Sequence, residues 1–223
     1  MKKLIKTLVF TLSILSTGFT QPSASINFNT AFPMGDFADF NANTGIGGNL
    51  EILFFSPSER TPYGLGLNFS YISYGLHFYD DPYTDELTLS GNEANNFASL
   101  HVLFQIAPHE GNIRPYFETL FGGSYIYSLT EIGYDYDGPI DLWIDDWVWS
   151  YGAGAGLKFF LFGSDSYHPG SGYLDFKVRY LFGTTATYLD RGSVEIYYDD
   201  VYYSVIESKT DMLTASIGFC FMF

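Results

Sequence analysis

Cationic residues are scarce in this chain. Ten Lys and Arg stand against 25 Asp and Glu in 223 residues, for a formal net charge of −15. Phosphate backbones are held by clustered Lys and Arg, so nucleic acid is excluded as a partner. Cysteine is nearly absent. Cys220 stands alone, so no internal disulfide can form, and its small apolar side chain suits packing in the last strand. Long apolar runs are missing after residue 19, so no later segment can cross a bilayer as a helix. Helical spacing is poor throughout, and Gly is too frequent for helices.

What is present begins with a secretory leader. Lys2, Lys3 and Lys6 precede an apolar stretch over 4–19 that is short and rich in Ser and Thr. Residues 1–20 are expected to be removed by cleavage near Thr20 and Gln21, and no Cys follows to carry a lipid anchor. Residues 21–223 have the length of one domain.

Alternation of period two marks eight candidate strands: 24–32, 46–55, 63–74, 97–107, 115–128, 149–162, 173–183 and 210–223. Most are long enough to cross a bilayer when tilted, which takes ~9–11 residues. One face of each is bulky and apolar, as in Leu65, Leu67, Phe69 and Tyr71, or Ile217, Phe219, Phe221 and Phe223. The other face is small or polar, as in Gly64, Gly66, Asn68 and Ser70. Alternation alone does not say which face points inward. A soluble lipocalin-like barrel hides the apolar set, and a membrane barrel turns it to lipid. A polar face made of Gly, Ser and Asn suits a cramped interior, whereas a water-exposed face would carry many Lys and Glu.

The connections alternate between long and short, at about 13, 7, 21, 6, 20, 10 and 26 residues. Short periplasmic turns alternating with long external loops is the habit of outer-membrane barrels. Aromatic residues near strand ends match their interfacial girdles: Phe54, Phe55, Tyr63, Tyr71, Tyr74, Tyr116, Tyr125, Tyr151, Tyr173 and Phe223. Trp143, Trp147 and Trp149 read as interfacial anchors. The expected fold is all-β, an eight-stranded antiparallel up-and-down transmembrane β-barrel with short periplasmic turns and long acidic extracellular loops. The expected location is the bacterial outer membrane.

Several short motifs carry a family likeness. Ala31-Phe32-Pro33-Met34-Gly35-Asp36-Phe37 resembles the Phe-Pro-x-Gly-Asp-Phe turn of small outer-membrane barrels of Bacteroidetes. Arg114-Pro115-Tyr116-Phe117-Glu118 is similar to their Arg-Pro-Tyr-x-Glu strand, and 151–159 to their glycine-rich strand. The stretch 174–180 and the closing Phe223 complete the resemblance to OmpA/OmpX-like barrel domains. The likeness implies insertion by the barrel-assembly machinery through the C-terminal strand and its Phe223. It implies no single activity, and with no C-terminal peptidoglycan-binding domain expected, a wall-tethering role does not carry over.

Seven ionisable residues fall on the expected inner face: Glu51, His101, Glu118, Lys158, Asp175, Lys177 and Arg179. Charges in a narrow lumen persist only when paired. The expectation is therefore a plug of ion pairs drawn from Glu51, Glu118, Lys158, Asp175, Lys177 and Arg179, with Glu118 and Lys158 meeting across neighbouring strands. The acids elsewhere crowd the long connections. Asp135, Asp137, Asp141, Asp145 and Asp146 form one group that could hold Ca2+ or Mg2+, since hard cations prefer carboxylate oxygen, although the EF-hand spacing is lacking. Such cations could bridge the loops to lipopolysaccharide. No other cofactor is expected.

In the last long connection, 194–198 and 201–205 are β-prone runs around Asp199-Asp200, which reads as a hairpin. Its Tyr197, Tyr198, Tyr202 and Tyr203 could bind an unidentified surface partner. The expected role is structural or surface-interacting, through adhesion or partner binding. A small channel, a soluble carrier and a lipid A-modifying enzyme are the alternatives. No enzymatic activity is expected, because His77 and His101 are the only histidines outside the turns and nothing around them is catalytic in pattern.

Overall fold

The structure, a computed structural model, describes residues 22–41, 43–78, 91–132, 140–163, 169–190, 193, 195–197 and 200–223. The leader assigned to residues 1–20 lies outside them. Eight long strands close an antiparallel barrel: β1 (Ser23–Pro33), β2 (Gly45–Phe55), β3 (Tyr63–Phe78), β4 (Gly91–Ile106), β5 (Ile113–Ile132), β6 (Ile140–Phe162), β7 (Gly172–Gly183) and β12 (Met212–Met222). Each pairs with its sequence neighbours in this series, and β1 closes the cylinder on β12 from Ser23↔Met222 to Pro33↔Met212.

The pleat sorts the side chains. Ile26, Phe28, Leu67, Phe69, Val178 and Phe219 point outward and are exposed, and Phe117 reaches 70% exposure. Asn27, Asn49, Glu51, Asn68, Gln105 and Arg179 point inward and are buried. This is the inverse of a water-soluble barrel, in which the large apolar side chains fill the core.

Four strands run longer than the alternation implied. β5 and β6 remain paired from Ile113↔Phe159 to Ile132↔Ile140, so most of the segment read as the third long loop is strand. Above the lipid band neither face has to be apolar, so the period-two signal fades while the hydrogen-bond ladder continues. The boundary is visible in the register: Ser73, Asn96, Tyr127 and Asp145 form one cross-strand row of outward polar groups.

The last connection holds the expected hairpin, in a register shifted from the one expected, and a second short sheet beside it. β8 (Thr185–Leu189) pairs with β11 (Val205–Lys209), and β9 (Glu195–Tyr197) pairs with β10 (Asp200–Tyr202). Asp200 faces Tyr197, so it belongs to a strand and not to the turn.

Helix α1 (Asp36–Phe40) was not anticipated. It follows Gly35, whose φ of 54° favours a residue without Cβ, and it drops Phe37 into the barrel mouth with no exposure.

Candidate functional site

The lumen is filled in layers. In its middle lies one unbroken chain of polar contacts. Lys158 Nζ donates to Gln105 Oε1 at 3.2 Å, and Gln105 Nε2 reaches Glu118 Oε2 at 3.5 Å. Arg179 joins the next links: its Nε donates to Glu118 at 2.6 Å, its Nη2 to Glu51 at 2.5 Å, and its Nη1 to Asn68 at 3.0 Å. Lys177 Nζ then holds both oxygens of Glu51 at 2.7 Å and lies 3.0 Å from Asp175 Oδ2. Tyr116 donates to Asp175 Oδ1 at 2.6 Å. The chain ties β2, β3, β4, β5, β6 and β7 together across the axis, and every charged member is buried.

The expected partner of Glu118 was Lys158. The register sets Gly154 opposite Glu118 and Arg114 opposite Lys158, so Lys158 lies two pleat repeats too far along β6. Glu118 turns instead to Arg179, two strands away across the lumen. Arg114 was missing from the expected inner set, because the alternation was read only from Pro115 onward. It shares the inward parity of Tyr116 and Glu118 and is buried. The same parity corrects the aromatic girdle. Tyr74, Tyr116 and Tyr173 are buried on the inner face, in phase with Ile72, Glu118 and Asp175.

Above the charges lies a hydroxyl layer. Ser99 and Ser124 are 2.8 Å apart, Ser124 and Ser150 are 3.0 Å apart, and His101 Nε2 is 2.6 Å from Ser150 Oγ. His101 therefore pairs with Ser150 rather than with Ser99, and its Nδ1 meets no polar partner.

An apolar stopper closes the external end. Phe37 stands edge-on to Tyr74, Phe97 and Tyr188, with ring centroids at 5.2, 5.5 and 5.7 Å. Ile72, Ile126, Val148 and Met212 complete it. Burial pushes the Tyr188 phenol above its ordinary pKa, and its hydroxyl meets Ser208 Oγ at 2.7 Å.

On the outer face the three tryptophans step up β6, each about half exposed. Trp149 stacks on Phe121 at 5.6 Å, and Trp143 stacks on Tyr127 at 5.0 Å. Asp145 accepts from Tyr125 Oη and Trp143 Nε1, whereas Asp146 accepts from the backbone N–H groups of Trp147 and Thr187. Strand alternation sends Asp145 and Asp146 to opposite faces, so they do not converge. Asp135 and Asp137 lie outside the described residues, and so does the Asp141 side chain. Among the described residues no three His, Cys, Asp or Glu side chains gather as a metal site. Tyr202 and Tyr203 are exposed, Tyr197 sits in β9, and Tyr198 lies outside the described residues.

No protein-family profile matches the chain, and no curated protein is similar to it in sequence. Solved structures do match. A major outer membrane protein from Thermus thermophilus is similar at a TM-score of 0.51 and 12% identity, covering 91% of this chain and 99% of that one. Ail, the attachment invasion locus protein of Yersinia pestis, was crystallised with the heparin analogue sucrose octasulfate; it aligns at a TM-score of 0.43 and 13% identity over 91% and 97% of the two chains. The outer membrane protease OmpT from Escherichia coli aligns at 0.45 and 10%, over 92% and 98%. At such identities the Thermus likeness speaks for the fold alone: a closed, eight-stranded barrel of the outer-membrane type.

Proposed function

We propose that this protein is an integral barrel of the bacterial outer membrane with a structural and surface-presenting role, and that its lumen does not conduct. The observation that carries the reading is the Lys158–Gln105–Glu118–Arg179–Glu51–Lys177–Asp175 chain, roofed by Phe37 and its aromatic neighbours. An eight-stranded barrel has an interior just wide enough for side chains to fill. Here that chain cross-links the filling, and opening a path would strip partnered charges of their partners.

The outward apolar band gives the lipid contact, including the acyl chains of lipopolysaccharide. The last strand ends at Met222 and the exposed Phe223 follows it, the feature through which barrel assembly would recognise the chain. The role is non-enzymatic: His101 and Ser150 sit between the charge chain and the stopper, closed to any substrate, and the reading needs no cofactor. The parts offered to a partner are the strand extensions above the Tyr127–Asp145 row and the exposed Tyr202 and Tyr203.

Two measurements test this. Membrane fractionation is expected to place the protein in the outer membrane, and planar-bilayer recording of purified protein is expected to show no steady conductance. Soluble periplasmic protein, or large stable openings, would overturn the reading.

A further inference from the structure

The lumen holds one more buried cation than buried carboxylates. Glu51, Glu118 and Asp175 are the acids; Arg114, Lys158, Lys177 and Arg179 are the bases, among the described residues. Lys177 and Arg179 use all three acids. Arg114 and Lys158 have no carboxylate within ion-pair distance among the described residues, although both are more than nine-tenths buried. The register sets Lys158 between Arg114 on β5 and Asp175 on β7, and that carboxylate is already held by Lys177 and Tyr116. Like charges opposed on neighbouring strands repel, and burial removes the water that would screen them.

The direct hydrogen-bond and ring partners of each cation are neutral. Arg114 Nε donates to the Pro108 carbonyl at 3.0 Å, its Nη1 lies 3.3 Å from Met222 Sδ, and the guanidinium sits 5.4 Å from the Tyr173 ring centre. Lys158 Nζ donates to Gln105 Oε1 and lies 5.0 Å from the Tyr116 ring centre. Two of the three ammonium hydrogens and most of the guanidinium donors therefore have no hydrogen-bond acceptor among the described residues. Both residues border the same small cavity at the end of the barrel where β1 begins and β12 ends. Ser23, Ser56, Gln105 and Met222 are also in its wall, and its volume is about 10 Å³. That is room for one small particle. The Ser56 hydroxyl donates to Ser23 Oγ at 3.2 Å, which leaves the Ser23 O–H to turn inward.

We propose that this cavity is a binding site for one small monovalent inorganic anion of the chloride class, held by Lys158, Arg114 and the hydroxyl of Ser23. A single negative charge there neutralises the surplus cation and screens the opposed pair. The size of the cavity excludes phosphate, sulfate and carboxylic acids. The site lies in the lumen wall and serves structure; it needs no open path through the barrel.

The test uses the full folded barrel in detergent. Crystals soaked in bromide are expected to show one anomalous peak in the cavity, within hydrogen-bond reach of Lys158. In solution, 35Cl line broadening is expected with the wild-type barrel and is expected to fall at least tenfold in Lys158→Met. The folded state of the variant is checked by heat-modifiable electrophoretic mobility. Should Lys158→Met fail to fold, Arg114→Gln takes its place. Thermal stability gives a second readout: wild type is stabilised by chloride over gluconate, which is too large to enter, and Lys158→Met loses that difference. A bromide map with no peak there, as for a cavity holding water alone, would overturn the proposal. So would chloride broadening that is unchanged in a folded variant.

Discussion

Arg179 donates through Nε to Glu118 at 2.6 Å, across 61 positions of sequence and from a strand that does not neighbour the one carrying Glu118. The same guanidinium also holds Glu51. One side chain therefore bridges two carboxylates that would otherwise face each other in a dry lumen. This makes Arg179 the keystone of the chain from Lys158 to Asp175.

Arg179→Met should destabilise the barrel by about 3–5 kcal/mol, because Glu51 and Glu118 are left buried without their shared cation. Urea unfolding in lipid vesicles measures it. Adding Glu118→Gln should return part of the loss, since one orphaned charge is then removed.

Val178 and Arg179 are consecutive but face opposite media. Val178→Arg, or Leu67→Arg, places a cation against lipid and should cost about 2–4 kcal/mol near the bilayer midplane. The same unfolding assay applies. A loss below about 0.5 kcal/mol for both would mean that this face does not meet lipid.

Gly156 faces inward with no space for a Cβ, which would collide with the Tyr116 ring and the Phe176 carbonyl. Gly156→Ala should displace Tyr116 from Asp175 and lower the folded yield on refolding. Gly48, whose Cβ would come no nearer than 3.2 Å to the Asn27 carbonyl, should tolerate Ala far better.

All three tryptophans lie on β6, at 143, 147 and 149. Trp149 lies on the lipid side of the Tyr127–Asp145 polar row and Trp143 on its far side. In single-tryptophan variants, acyl-chain-brominated lipid should quench Trp149 strongly and Trp143 weakly. Equal quenching would move the membrane boundary.

Much of the fold was legible along the chain. The eight strands, the outward set such as Leu67 and Phe219, and the inward charges Glu51, Lys177 and Arg179 all follow from a period of two. Where the signal was read imperfectly, the cause is local. Arg114, Tyr116 and Tyr173 keep the inward parity, and at these positions parity overrides the tendency of aromatic residues near strand ends to form a girdle. The extensions of β5 and β6 escaped because strands in water need no apolar face. Phe37 escaped because a buried ring on a five-residue helix has no periodic signature.

The amino-acid sequence alone determined the pleat, the number of strands and which side chains share a face, because each depends on neighbours two residues apart. Tertiary structure decided who meets whom inside: Arg179 with Glu118, Lys177 with Glu51, and Phe37 with Tyr188. Those meetings depend on the tilt and stagger with which the cylinder closes. That closure brings together side chains far apart in the chain, such as Lys177 and Glu51 at 126 positions, and no short-range pattern encodes it.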